Sequence, residues 1–569
     1  MSGVAPRTPP TIDVRVLAIA AVCLAATLPY LQTIPDYFLQ DDYGGMQLLA
    51  GKPWHTFFRW FTMPWMEFIW GYTPDEIRPF TALSYQISDL GRGDVPHGHH
   101  VLNIALHAAN SLLVFGIAKR AGRLTLPGAT LAAVVYAVLP ASSESVAWIT
   151  GRVDSLPAFF YLLSFYTYVG WRQSVNSQLP TPNSQDGAKA GRSGRLTLYL
   201  LSLVWFFMAL FSKQNTITMV AALGAYDLLL ERRPIRLTWS WIWPYVPFAF
   251  LTAGFLGLRY ILLGEILRER LLSSQRLDSL AGLITRHLQR IAWGDVGNAS
   301  AATWALAVAC AAAAIVCILR TEPDARQTAI RGVLYFGPVW LALGLAPTVA
   351  AGYESPRHGY LAAAGWTILI GIAYDAVRQH RVPLPRVDSI WKIAATAATA
   401  AIVVSYSVAL HANVRSWNRR AAVAELGVHE LERVVQQAPP GSLVLVDVPV
   451  ASWEWAMPFT DKPPYASVDL TQRASIIGRE LLHCCRGKWW ENETRAALQR
   501  WDKARTPIVA LYINSDGEVR VLSDTEAPEL VTLVSALVDI PSASNLDGAL
   551  HDVLRRFVAG RGRVVRGPL

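Results

Sequence analysis

About eleven apolar runs, each roughly 17–25 residues long, divide the first 411 residues of this chain. They lie near 14–34, 99–118, 124–141, 154–171, 196–212, 214–230, 238–262, 300–319, 331–350, 359–377 and 391–411. In hydrocarbon every backbone N–H and C=O must find its partner inside the protein, so consecutive runs of this length fold as membrane-spanning helices. Composition agrees: only 16% of the 569 residues are charged, against about 25% in soluble chains. The 21 Trp fit an extensive lipid–water interface. The first run, Val14 to Tyr30, is long and lacks a small-residue cleavage site, so it reads as a retained span rather than a removed signal.

A net charge of +9 would direct a soluble protein toward nucleic acid, but here the basic residues lie between apolar runs and report topology instead. With the N-terminus (Arg7, Arg15) cytoplasmic, one set of connections holds Lys119, Arg120 and Arg123, then Arg172, Lys189, Arg192 and Arg195, then Arg232, Arg233 and Arg236. The same face collects Arg320, Arg326, Arg331, Arg378, Arg381, Arg386 and Lys392, whereas the short loops opposite carry only Arg152, Lys213 and Arg357. The expected fold is therefore a polytopic α-helical membrane protein with about eleven transmembrane helices, the N-terminus inside and the C-terminus outside. The five Cys have no ligand spacing; those in apolar runs read as small hydrophobes, and the adjacent Cys484 and Cys485 as packing.

Two outer loops stand out. The first, 35–98, begins with Tyr37-Phe38-Leu39-Gln40-Asp41-Asp42-Tyr43 and continues through Trp54, Phe57, Phe58, Phe61, Trp65, Phe68 and Trp70. The helical spacing of these rings predicts one or two short interfacial helices, broken near Pro64. The second, about 263–298, carries Arg268, Arg270, Arg276, Arg286 and Arg290 among leucines and predicts an amphipathic surface helix. Residues 173–195 read as a flexible cytoplasmic loop. After His411 the composition becomes that of a soluble domain: a helical pattern over 419–437, strands near 442–447 and 508–512, and a hairpin turn at Ser515-Asp516-Gly517-Glu518 leading into Val519-Arg520-Val521-Leu522. The chain thus divides into a transmembrane domain, 1–411, and an extracytoplasmic α/β domain, 412–569.

Topology gathers polar residues on the outer face: Asp41, Asp42, Arg78, His97, His99, His100, Asn103, His107, Glu144, Arg152, Asp154, Lys213, Gln214, Glu354, Arg357 and His358. Charges at such positions are costly unless they pair or line a wet cavity. Asp154 lies two residues from Arg152 and can pair with it. Lys213 interrupts an apolar stretch, so it marks a turn between spans and reaches a buried anion. His100 and His107 share a helix face with Asn103 and Asn110. They read as hydrogen-bonding groups in a polar seam, since a metal needs a third and fourth ligand at close quarters. No cofactor is indicated, and a divalent metal, though compatible with such a site, is not called for.

An outer cavity lined by acids and cations beside lipid suits an amphipathic substrate, such as a sugar carried on a polyprenyl phosphate. An acceptor hydroxyl needs a base, which Asp41 or Asp42 can supply. The leaving phosphate needs cations, which Arg357, Arg78 or Lys213 can supply.

Six segments, in order, carry a resemblance. These are Phe38-Leu39-Gln40-Asp41-Asp42, Arg78-Pro79-Phe80-Thr81 and the stretch from His100 through Asn103 and His107 to Asn110. After them come Glu144-Ser145-Val146-Ala147-Trp148-Ile149-Thr150-Gly151-Arg152-Val153-Asp154, Ser212-Lys213-Gln214, and Arg357 with Tyr360 and Leu361. Together they cover most of residues 30–370 and resemble the GT-C membrane glycosyltransferases, closest to the transmembrane and tetratricopeptide-repeat O-mannosyltransferase-like group. More remotely they resemble the protein O-mannosyltransferases and aminoarabinose transferases. The sequence departs from the group in two places: Leu139-Pro140-Ala141-Ser142-Ser143 stands where histidines are common, and the tetratricopeptide repeats are absent.

The resemblance implies an inverting transfer from a polyprenyl-phosphate-linked sugar to a protein or to an envelope glycan or lipid. It implies a catalytic role for Asp41 and Asp42, favouring Asp41 as general base with Asp42 as its helper or a ligand of the substrate hydroxyl, and donor-phosphate or substrate contacts from Arg78, His100, His107, Arg152, Asp154, Lys213, Arg357 and Tyr360. The alternatives are a multi-span transporter or flippase of a lipid-linked precursor, and an inactive scaffold. Internal repeats and mid-membrane helix breaks would mark a transporter; no such repeat is visible. The Ala-rich style points to a bacterial inner membrane.

Overall fold

The computed structural model describes residues 13–569 apart from 50–51, 66–75, 90–94, 177–184, 237, 265, 267–276, 294–300, 381–384, 455, 479–488, 504 and 541–545. Phe68, Trp70, Arg268, Arg270, Arg276, Cys484 and Cys485 lie outside the described residues. Helices α1 (Val14–Thr27), α2 (Asp42–Leu49), α3 (Pro79–Asp89), α4 (His97–Arg120), α5 (Leu126–Ala137), α6 (Ser143–Ala147), α7 (Arg152–Asn176) and α8 (Gln185–Leu210) form the first half. The second comprises α9 (Met219–Leu229), α10 (Trp239–Ile242), α11 (Val246–Leu263), α12 (Leu277–Trp293), α13 (Ala301–Arg320), α14 (Pro323–Leu334), α15 (Trp340–Ala351), α16 (Tyr360–Gln379) and α17 (Pro385–Gln437).

Helix occurs at every one of the expected apolar runs. Among the described residues, seven segments are long and apolar enough to cross a membrane: Val14–Thr33, His97–Arg120, Ser193–Leu210, Val246–Leu263, Pro323–Ala351, Pro356–Gln379 and Asp388–Gln437. Leu126–Ala137 with Pro140–Ala147 makes an eighth if that pair, bent by 49°, counts as one. The bend has a local cause: Pro140 removes an N–H, and the residue before it, Leu139, is extended with ψ 125°. By contrast α9, with 11 residues, is only about 17 Å long.

Helices α4, α5, α7 and α16 form the centre of the bundle, and their inward faces are almost wholly buried. Small residues let α5 and α16 cross closely, since a Cβ on Gly371 would stand 2.7 Å from the Gly128 carbonyl oxygen. In the first outer loop one stretch of 3-10 helix, Trp54–Phe61, buries Trp60 and leaves Trp54 and Phe58 exposed. In the second, α12 packs on the turn before α16.

Helix α17 is 53 residues long. Its first part exposes Ile390, Ile393, Val404 and Val408, and its last part buries Val423, Leu431 and Val435. Residue 411, where the composition changes, therefore lies inside one continuous helix. Beyond it are β1 (Leu443–Asp447), α18 (Val450–Trp453), α19 (Met457–Thr460), β2 (Ser475–Gly478), α20 (Trp489–Arg500), β3 (Ile508–Ile513), β4 (Val519–Ser523), α21 (Glu529–Val538), α22 (Leu546–Val553) and β5 (Arg563–Arg566). The sheet order is β2-β1-β3-β4-β5; β1 runs parallel to β2 and β3, and β3–β4 is the expected hairpin, turning at Gly517 with φ 80°.

Alternation along β1 separates two cores. Leu443 and Leu445 join α20, α21 and α22 on one face. Val444 and Val446 join α17, Trp453, Phe459 and Tyr465 on the other, in the same cluster as Phe38, Tyr43, Trp60, Tyr85 and Trp148. The α/β unit and the loop bearing the two aspartates thus share one hydrophobic core.

Candidate active site

The adjacent aspartates have different surroundings. Asp42, at the start of α2, is buried, and its carboxylate accepts from the Thr150 N–H at 2.8 Å, the Thr150 hydroxyl at 2.5 Å and the Leu39 N–H at 2.9 Å. Trp148 Nε1 adds a bond to the Leu39 carbonyl at 3.2 Å. The turn bearing these donors is tight, because a Cβ on Gly151 would overlap the Glu144 carbonyl oxygen. Asp42 therefore fastens the first loop to the 148–151 turn. Asp42→Asn would turn an amide N–H toward one of these donors, and it is expected to lower stability by about 1–3 kcal/mol, read as a lower thermal midpoint of the detergent-solubilised chain.

Asp41 is half-buried, and among the described residues its carboxylate accepts no hydrogen bond. Burial pushes its carboxyl up to about 7; Arg357 pulls it down, while Glu454 and Glu76 push it up.

Arg357 belongs to a cluster of alternating charge. Asp154, in the first turn of α7, forms an ion pair with Lys213 and stands 3.4 Å from Arg357 Nε. Arg357 Nη1 donates to Glu144 at 3.1 Å, its backbone N–H donates to the same carboxylate at 3.2 Å, and its guanidinium lies 4.8 Å from the Trp148 ring centre. Ser355 Oγ also donates to Glu144, at 2.5 Å. Arg78 pairs with Glu76 at 2.9 Å. Burial pushes Lys213 down to about 8, with Asp154 pulling it up and Arg78 and Arg357 pushing it further down. The Nε atoms of Arg78 and Arg357 are buried and make no hydrogen bond among the described residues, that of Arg357 facing Asp154 only as an ion pair at 3.4 Å.

The other sequence-predicted residues lie around this cluster. Arg152 is fully buried over the Tyr85 ring and donates to Asn103 Oδ1 at 2.6 Å, Ser84 O at 3.0 Å, Ser88 Oγ at 2.9 Å and His99 O at 2.8 Å. It ties α3 and α4 to the 148–151 turn, and Asp154 pairs with Lys213 and Arg357 instead of with it. His107 bonds Tyr360 OH at 2.8 Å and Ala137 O at 3.0 Å, and Asn110 donates to the same Tyr360 oxygen at 3.2 Å. His100 Nε2 lies 3.2 Å from the Asp36 carbonyl. Among the described residues no three His, Cys, Asp or Glu converge as a metal ion requires.

Sequence reasoning left Thr150, Glu76, Gln40 and Glu454 out of the site. Thr150 stood inside a recognised segment; Glu454 comes more than four hundred residues after Asp41 and gave no signal.

No protein-family model matches the chain. Among curated proteins it is similar to the protein O-mannosyl-transferase TMTC4 of Mus musculus, 32% identical over 166 residues, which are 27% of this chain and 21% of that one. It is also similar to the protein O-mannosyl-transferase Tmtc1 of Drosophila melanogaster, 28% identical over 239 residues, 39% of this chain and 24% of that one. The chain therefore spans less than a quarter of the length of these relatives. Among solved structures, the oligosaccharyltransferase AglB from Archaeoglobus fulgidus, in complex with an inhibitory peptide and a dolichol-phosphate, superposes with TM-score 0.48 at 11% identity, covering 88% of this chain and 69% of that one. ArnT from Cupriavidus metallidurans bound to undecaprenyl phosphate gives TM-score 0.41 at 13% identity, covering 88% and 94%. Superpositions this loose establish no shared substrate or chemistry. Over these partial stretches, sequence similarity sets the chain beside the protein O-mannosyl-transferases.

Proposed function

We propose that the chain is a membrane glycosyltransferase that moves a sugar, of the mannose class, from a polyprenyl phosphate to an acceptor hydroxyl at the outer face of a bacterial inner membrane. In this reading about eleven spans, including the shorter helices, carry the site, the N-terminus is cytoplasmic and the α/β domain is extracytoplasmic. The observation that supports it is the Asp41 carboxylate, free of hydrogen bonds among the described residues and within electrostatic reach of Arg357, whose cluster also holds Lys213 and Asp154.

In the proposed step the acceptor hydroxyl gives its proton to Asp41 as its oxygen attacks the anomeric carbon. The bond from that carbon to the phosphate oxygen breaks on the opposite face, so configuration inverts. The oxygen keeps the electron pair, and Arg357, Arg78 and Lys213 stabilise the resulting phosphate charge. Asp42 and Arg152 act as scaffold, and the His107–Tyr360 pair ties α4 to α16 beneath the site. The acceptor is a protein or an envelope glycan or lipid.

The test is incubation of the full chain in membranes with radiolabelled polyprenyl-phosphate mannose. Label appearing in an acceptor supports the reading. Label crossing vesicles without a transfer product would replace it with a transporter. The same assay carries a pH prediction. The base must be deprotonated, and its pKa is raised to about 7, so the rate falls as pH drops through 7, by about tenfold per unit below it. An ordinary exposed aspartate would leave the rate flat to about pH 5.

A further inference from the structure

We propose that the Val450–Trp453 turn of the C-terminal α/β unit is part of the active site, clamping Gln40 so that the neighbouring Asp41 faces the cations. The inference rests on the reading of Asp41 as the base and makes Gln40 a positioning residue.

Gln40 is one of three non-glycine residues, among those described, with a positive φ; its value is 49°. That conformation disfavours any residue bearing a Cβ, so something must hold it. The holder comes from 410 residues away. Gln40 N–H donates to the Ser452 carbonyl at 3.4 Å, and its side-chain Nε2 reaches the carbonyls of Ala451 at 3.2 Å and Val450 at 3.5 Å. The last carbonyls of a short helix such as α18 lack partners within it; the Val450 carbonyl already accepts the Glu454 N–H at 3.0 Å, so Gln40 chiefly serves the carbonyls of Ala451 and Ser452.

On the far side of Asp41 the same unit acts again: Tyr465 OH donates to the Tyr43 carbonyl at 2.9 Å, and the two rings meet edge to face at 4.9 Å. The loop is thus pinned one residue before Asp41 and two residues after it. Glu454, directly after the turn, bears on Asp41 electrostatically. Domain packing alone would not require left-handed backbone beside an acid that is free of hydrogen bonds; such strain collects at functional sites.

The test compares Gln40→Ala and Gln40→Asn in the full-length chain. Gln40→Ala is expected to lower kcat about tenfold, with KM for polyprenyl-phosphate mannose within about twofold and the thermal midpoint unchanged. Its acid limb should also move, because Asp41 changes surroundings. Asparagine, which keeps the amide and tolerates positive φ, should recover part of the rate. An unchanged kcat, or a fall in kcat matched by a fall in thermal midpoint, overturns the clamp. Hydrogen exchange separates this from the function itself: Gln40→Ala should speed exchange at Asp42, Tyr43 and Gly45, whose N–H groups bond the carbonyls of Leu39, Gln40 and Asp41. Faster exchange in a chain that transfers no sugar leaves the clamp standing and removes the enzyme; unchanged exchange removes the clamp.

Discussion

Asp41→Asn should cut sugar transfer by about 10²–10⁴-fold while leaving the fold intact. The two halves of that expectation come from the same observation. Because the Asp41 carboxylate accepts no hydrogen bond among the described residues, an amide of the same shape leaves no donor stranded. The thermal midpoint should stay within about 2 °C of the parent. What the amide cannot do is take a proton from an incoming hydroxyl. Asp42→Asn gives the opposite pattern, since its amide N–H is turned toward one of the three donors that the carboxylate serves; there the midpoint falls and any loss of rate tracks the loss of folded protein. Measuring kcat and thermal midpoint on both variants distinguishes base from fastener. Undiminished transfer in Asp41→Asn would sink the base assignment.

The helices at the apolar runs were legible in the sequence because hydrocarbon tolerates few alternatives, but the 173–195 stretch, expected as a loop, is helical from Gln185 onward in α8; the β3–β4 hairpin was legible because Ser515-Asp516-Gly517-Glu518 is strong turn chemistry. The aspartate pair was visible too, but its division of labour was not. That division depends on which carboxylate meets the Thr150 and Leu39 N–H groups, a contact across 108 positions in one case. The pairing of Asp154 shows how sequence proximity misleads. Residues two apart on a helix do not face each other, so Arg152 turns toward Asn103, Ser84 and His99 while Asp154 turns toward Lys213 and Arg357. Composition changes at residue 411, yet α17 runs through it unbroken, because helix propensity is indifferent to whether lipid or protein covers the outward side chains. The roles of Gln40 and Glu454 had no local signature, since both arise where the distant α/β unit meets the first loop.

Arg357→Met should abolish transfer for two separable reasons. The arginine bridges Glu144 and Asp154, so its removal leaves two buried or half-buried carboxylates with fewer partners, a change that costs about 3–5 kcal/mol when a buried pair is broken. It also removes a cation from the place where phosphate charge is proposed to develop, worth about 10²–10³-fold in kcat. A lysine restores the charge but not the planar fork, so Arg357→Lys should regain only part of the stability, holding one carboxylate at a time. Adding Glu144→Gln to Arg357→Met removes one of the stranded charges. If Arg357 acts only by holding the fold, this double variant recovers the thermal midpoint and the rate together. If Arg357 stabilises the leaving phosphate, the midpoint recovers and transfer stays lost, because no change at Glu144 returns a cation to the site. Thermal unfolding and initial rates on the three variants decide between these outcomes, and the expected one is recovered stability without recovered transfer.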